Sequence, residues 1–347
     1  MTMAQTSREI VKRSLTFQSP ERVPVDIWAL PWATSRYPEE IRKLLKEYPN
    51  DTAVPPHPCG KAQRVSGEPY VIGHSIDDWG CEFENLQDGV IGEVKFPMIK
   101  EPGDWRLAAP PEEMIPTGID RQKAIDRVNA FCASTDKFVL TPVCPRPWER
   151  YQFLRGTENA MIDMLLREPG VDELLALIHN YYRRELEFWA ETDVDALRFM
   201  DDWGSQQNLL IPPDIWRELF KPLYREYCDI ARSSGKFTFM HSDGNIQSIY
   251  PDLVEVGVSA LNSQIFCMDM DELARIARGK LCFWGEIDRQ HVLCNPDPEA
   301  GRRAVRLAAE KLWMPEGGCF CQFEIGPGCR LETAFAICEE WRLISKR

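Results

Sequence analysis

From residue 138 onward the chain repeats one unit: a short apolar, strand-like run followed by a stretch long enough for a helix. The runs begin at residues 138, 196, 236, 260, 281 and 319. Two earlier runs, at 23 and 70, bring the count to eight. Strands that alternate with helices pair in parallel through right-handed crossovers. Eight of them are the number that closes a (β/α)8 TIM barrel. A doubly wound sheet would fit the same alternation, but no Gly-x-Gly-x-x-Gly follows the first run. The barrel is therefore the expected fold. It is expected to take residues 1–347 as a single domain, with roughly 60–110 as an insertion. There the runs Tyr70-Val71-Ile72, Val90-Ile91 and Val94-Lys95-Phe96 are broken by glycines, the pattern of an antiparallel hairpin. Residues 49–60, rich in proline, read as a loop.

Helix signals fill the gaps. Thr6 to Leu15 and Tyr37 to Tyr48 read as helices, and so does Arg121 to Ser134. Val171 to Thr192 carries apolar residues at 171, 174, 175, 178, 182, 186 and 189, one face of a 3.6-residue period. Asp214 is expected to cap a helix opened by Pro213, and Asp269 with Glu272 has capping-box spacing.

The apolar runs end again and again in ionisable or amide side chains: Asp26, Asp201, Asp202, His241, Asn262, Glu286 and Glu324. In a parallel barrel, strand ends and the loops after them build the active site. The sharpest case is Phe237-Thr238-Phe239-Met240-His241-Ser242-Asp243-Gly244, a buried strand running into a histidine, an acid and a glycine. Asp201-Asp202 has a second reading, as a pair capping a helix N-terminus. Cys319 and Cys321 share one face of a strand, where inert buried thiols are common.

Charge and cysteine usage exclude some functions. The net charge of −13 argues against nucleic-acid binding, which needs a basic surface. There is no apolar run of membrane-spanning length. Residues 1–16 carry Arg8, Glu9, Lys12 and Arg13 and lack the apolar core of an export signal. Twelve cysteines without framework spacing fit reduced thiols, so a cytoplasmic location is expected.

An ordered series of motifs resembles the uroporphyrinogen decarboxylase superfamily. It runs through Arg22-Val23-Pro24-Val25, Asp201-Asp202-Trp203-Gly204, His241-x-x-Gly244, Ala260-Leu261-Asn262, Trp284-Gly285-Glu286-Ile287-Asp288 and Gly317-Gly318. That superfamily holds the decarboxylase and the corrinoid-linked methyltransferases. The decarboxylase grips substrate carboxylates with an N-terminal arginine signature. Here the matching region reads Trp28-Ala29-Leu30-Pro31-Trp32-Ala33, with no arginine before Arg36. An uncharged or aromatic substrate suits that replacement better.

The resemblance therefore implies the methyltransferase branch, in which a His-x-Cys and a distant cysteine hold zinc. This chain keeps His241 but has Asp243 at the second position. Ligands beyond His241 would come from Asp243, Glu286, Glu324, Cys321 and Cys329, since zinc accepts nitrogen, oxygen and sulfur donors. A harder, carboxylate-rich set favours polarising an ether oxygen over activating a thiol. The expected reaction moves a methyl group from a methoxylated, aromatic compound to a corrinoid on a separate protein. Asp201, Asp202, His241 and Glu286 are its expected catalytic residues. Asp26, Trp28, Trp32, Trp79, Trp203, Asn262 and Arg289 are expected to contact the substrate, and the superfamily's habit implies a homodimer. The competing expectation is a metal-free lyase in which Asp201, Asp202 or His241 donates a proton to a carboxylated substrate.

Overall fold

The computed structural model describes residues 4–345. Its strands, in chain order, are β1 (Val25–Ala29), β2 (Thr52–Ala53), β3 (Gly73–Ile76), β4 (Glu82–Asn85), β5 (Glu93–Val94), β6 (Phe138–Val139), β7 (Ala196–Met200), β8 (Phe237–Ser242), β9 (Ala260–Ser263), β10 (Cys282–Phe283) and β11 (Cys321–Ile325). Strands β7, β8, β9 and β10 form one parallel run, and β2 pairs with β6 and β1 with β11, also in parallel. Parallel bridges Leu140–Ala196 and Phe283–Cys319 join these pieces. Between β1 and β2, Asp51 donates its N–H to the Val25 carbonyl (2.8 Å), and the Asn50 amide bonds both the N–H and the carbonyl of Ile27 (2.8 and 2.9 Å). Eight parallel strands thus close into a TIM barrel.

The second barrel strand is not at residue 70. Thr52–Ala53 takes that place, inside the proline-rich stretch read as loop, because two residues and an asparagine amide suffice to carry the ladder there. Strands β3, β4 and β5 instead form an antiparallel sheet of their own.

The helices are α1 (Ser7–Leu15), α2 (Pro31–Arg36), α3 (Pro38–Glu47), α4 (Gly118–Ala133), α5 (Pro147–Arg155), α6 (Thr157–Leu166), α7 (Val171–Ala190), α8 (Pro213–Leu219), α9 (Lys221–Ser233), α10 (Tyr250–Val256), α11 (Met270–Ala277), α12 (Pro298–Leu312) and α13 (Leu331–Ile344). Helix α1 opens with a true capping box. Thr6 accepts from the Glu9 N–H, and Glu9 accepts from the Thr6 N–H, an arrangement worth about 1 kcal/mol. Val11 and Leu15 of this helix join Phe138, Phe239 and Phe320 in a small core inside the barrel. The apolar stripe of α7 is buried as its period requires. Asp214 does not cap α8. Pro212 holds that position, and Asp214 pairs with Arg217 (2.9 Å). Asp269 does cap α11, but Glu272 turns to Arg275 rather than completing a box.

Two cores divide along the strand period. Phe138, Leu140, Ala196, Phe239, Ala260, Cys282, Trp284 and Phe320 point into the barrel. Their neighbours Val139, Leu197, Phe199, Met240, Leu261, Phe283, Cys321 and Phe323 point out to the helices. Successive side chains on a strand take opposite faces, so parity decides which strand-end residue reaches the barrel mouth.

Candidate metal and active site

Two-residue steps up from the inner core lead to polar side chains. Ala196 is followed by Arg198 and Asp202, Phe239 by His241 and Asp243, Ala260 by Asn262, Trp284 by Glu286, and Phe320 by Gln322 and Glu324. The barrel therefore fills its lower layers with apolar side chains and turns polar toward the C-terminal ends of its strands.

His241 sits at the centre. Its Nδ1–H donates to Asn262 Oδ1 (2.6 Å), and the Asn262 amide nitrogen donates to the Trp284 carbonyl (2.6 Å). That second bond fixes which end of the amide meets the imidazole. Nε2 is thereby aimed at the mouth, 3.4 Å from Asp202 Oδ1 and 3.6 Å from Asp243 Oδ1. Burial would lower the His241 pKa, but Asp202, Asp243 and Asn262 outweigh it and push the value up to about 10. Conversely, against a burial effect that would raise it, His241 and the Asp243 N–H hold Asp202 down to about 2.

The donor atoms of Asp202, His241 and Asp243 lie within 4.8 Å of one another. Asp243 Oδ1 is buried and has no hydrogen-bond partner among the described residues. One imidazole nitrogen and two carboxylate oxygens, one of them orphaned, fit a three-ligand site for a divalent cation with a position left open.

Around this triad, Arg289 reaches three carboxylates. It pairs with Asp243, with Glu324 Oε1 (2.8 Å) and with Glu286 Oε1 (3.5 Å). Glu286 is buried, and neither of its oxygens is hydrogen-bonded among the described residues. Burial is the main cause that lifts its pKa to about 7. Trp28 faces the His241 ring at 5.5 Å and meets Trp284 edge-on at 5.3 Å. Asp26, below them, accepts from Trp28 Nε1 (3.1 Å), Trp284 Nε1 (2.8 Å) and Thr52 Oγ1 (2.5 Å). It orients the tryptophans and is itself sealed off, and burial raises its pKa.

Several expected site residues lie elsewhere, and parity explains most of them. Asp201 has the outward register of Leu197 and Phe199. It accepts from the backbone N–H groups of Trp148 and Glu149 (2.9 and 2.8 Å) and from the Tyr224 hydroxyl (2.6 Å), so it caps α5 from another strand. Trp203 shares that register and is fully buried, stacked on Trp148 at 5.1 Å. Cys321 points behind the barrel wall, its Sγ 4.0 Å from that of Cys338. Cys329 takes the Gly326 N–H, and burial pushes its thiol up to about 11. Glu324 spends its carboxylate on Arg289. Trp79 is buried against Tyr181 and Tyr182 (5.3 and 5.9 Å), and Trp32 donates its N–H to Gly89 (3.0 Å), tying α2 to the antiparallel insertion. Asn262 and Arg289 hold other side chains of the site.

Sequence reasoning passed over Arg146, Glu149, Arg198 and Gln322. Arg146 and Glu149 lie at the start of α5, with Nη1 of the arginine 3.6 Å from the acid. Gln322 is fully buried, and both its amide atoms are unbonded among the described residues. For Arg198 and Gln322 the missed signal was parity, since each lies two residues beyond an inward apolar position. Beside this group lies a cavity of about 560 Å³, whose wall includes Arg146, Arg150 and Arg198 from the barrel side and Asp77, Asp78 and Phe83 from the insertion.

The family model described as Uroporphyrinogen decarboxylase (URO-D) matches residues 80–329, well over half of the chain. The chain belongs to that family. No curated protein sequence matches it. Among solved structures, a methyltransferase from Methanosarcina mazei superposes with a TM-score of 0.70 over 98% of this chain and 99% of the other, at 14% sequence identity. The two share a fold. No helix among the described residues is long and apolar enough to cross a membrane.

Proposed function

We propose that this member of the uroporphyrinogen decarboxylase family is a methyltransferase, which moves a methyl group from a methoxylated compound to the reduced corrinoid of a separate protein. The observation that carries this reading is the convergence of His241, Asp202 and Asp243, with an orphaned carboxylate oxygen among the donors. The structural relative named a methyltransferase supports it.

Those three residues would hold a divalent cation, expected to be zinc, whose Lewis acidity polarises an ether oxygen and whose binding releases the His241 Nε2 proton. Asn262 keeps the imidazole turned to present Nε2, the outer-sphere support that ligating histidines need. Arg289 fixes the Asp243 carboxylate. In the reaction the methyl–oxygen bond breaks with its electron pair on oxygen, and the methyl passes to the nucleophilic cobalt of the corrinoid. Glu286, buried and free of hydrogen bonds, is positioned to carry the proton that the departing oxygen takes up. Trp28, tilted against the imidazole at 5.5 Å, would limit water on that side.

The test is elemental analysis of protein purified without added metal or chelator. About one zinc per chain is expected, lost in His241→Ala and Asp243→Asn and retained in Cys321→Ser. The loaded protein should then methylate a reduced corrinoid in the presence of a methoxy-aromatic compound. A well-folded protein that binds no cation, and that instead releases carbon dioxide from a carboxylated substrate, would replace this reading with the lyase.

A further inference from the structure

The chain carries a net charge of −13, yet three arginines line one cavity, and Arg146 among them is near enough to Asp202 to lower its pKa. Arg150 is committed, since it pairs with Asp77 and with Asp78 (3.3 Å). Arg198 is not. Its side chain makes one hydrogen bond, from Nη2 to the Pro142 carbonyl (3.3 Å), and its Nε is buried without a partner. No carboxylate lies within ion-pair distance of it among the described residues. Asp26 is near, but its oxygens are taken by Thr52, Trp28 and Trp284. Arg146 donates to the Cys144 carbonyl (3.4 Å) and to Met200 Sδ (2.9 Å) and lies 3.6 Å from Glu149 Oε1, while the other oxygen of that acid is unbonded among the described residues. Glu185 in the same wall is pushed up by burial to about 8, so at neutral pH it adds little negative charge. A partly buried cation whose nearest acid, Asp26, is engaged elsewhere gains from a ligand that supplies a counter-charge.

We propose that the cavity is an anion site in which Arg198, assisted by Arg146, holds a carboxylate of the substrate. The planar guanidinium fork matches a carboxylate with two parallel hydrogen bonds. Arg198 pairs in register with Phe239, two residues below His241, a rise of about 7 Å along the strand. Tyr182 and Phe153, apolar walls of the same cavity, suit an aromatic ring beside that guanidinium. The ligand class is therefore a small aromatic carboxylic acid. That the acid also bears a methoxy group rests on the methyltransferase reading. The carboxylate site does not.

The experiment is direct titration of the purified full-length protein with 4-methoxybenzoate, its neutral methyl ester and benzoate, followed calorimetrically. The two acids should bind at least tenfold more tightly than the ester. Arg198→Met should weaken both acids at least tenfold and leave the ester unchanged, with Arg146→Met having a smaller effect in the same direction. Thermal melting supplies a second readout. Arg198→Met without ligand should melt no lower than the unsubstituted protein, because a partly buried cation without an ion-pair partner is gone, and should lose the upward shift that benzoate gives. Equal binding of acid and ester, or no binding of either at millimolar concentration, overturns the site, and that comparison on the unsubstituted protein stands even if a variant fails to fold. Benzoate separates the two proposals: if it binds through Arg198 while no methyl is ever transferred, only the transferase reading falls.

Discussion

Glu185 on α7 offers a sharp test of the electrostatics of this cavity. Its carboxyl is buried and meets only the Tyr181 hydroxyl at 3.4 Å, with Asp78 adding negative charge nearby. Burial first, and Asp78 second, lift its pKa from 4.5 to about 8. A carboxyl raised that far penalises the native state by about 5 kcal/mol once the pH exceeds the folded value. Below pH 4.5 both states hold the proton, so the group contributes nothing. Between 4.5 and about 8 only the folded chain holds it, and stability falls as pH rises. Above that the penalty is constant. Glutamine keeps the shape of the protonated acid and cannot ionise. Glu185→Gln should therefore match the unsubstituted protein near pH 4.5 and exceed it by about 3–5 kcal/mol at pH 9. Urea denaturation at a series of pH values, read by tryptophan fluorescence, gives the difference directly, since all other groups titrate alike in both proteins. A difference that does not change with pH, or a variant less stable at pH 9, would refute the reasoning and mean that Glu185 is ionised and stabilised in the folded chain.

Two further substitutions separate scaffold from chemistry. Asp201→Ala removes the acceptor of two backbone N–H groups and the Tyr224 hydroxyl. It should cost about 3 kcal/mol in urea denaturation, while the folded variant binds cation with unchanged stoichiometry. Gly285→Ala would place a Cβ 2.0 Å from the buried Gln322 Oε1, at a backbone φ of +97°. Stability should fall by about 2–4 kcal/mol, and methyl transfer should be lost with it, because Glu286 is the next residue.

The barrel was legible because its evidence is periodic and local. Each apolar run is long enough to read, the spacing of runs implies parallel pairing, and a strand that ends in an ionisable group marks the rim. The helix faces were legible for the same reason. That rule singles out Asp202, His241 and Glu286, with Asp243 as the acid that follows the His241 strand. What the sequence by itself determined, then, was the alternation, seven of the eight barrel strands and the polar rim.

Only the tertiary structure decided which members of that rim meet. Side-chain parity sends Asp202 to the mouth and Asp201 to the helix layer, although the two are adjacent in sequence. It likewise sends Cys321 behind the wall and Gln322 inside. β2 escaped notice because two residues of strand have no period, and their ladder is completed by partners far along the chain. The unpaired state of Arg198, and the capture of Arg289 by three acids, depend on residues from separate strands and loops. Hydrogen bonding and ion pairing act over a few ångströms in space, whereas sequence patterns record only neighbours along the chain, so the partners of a charge appear only once the barrel has closed.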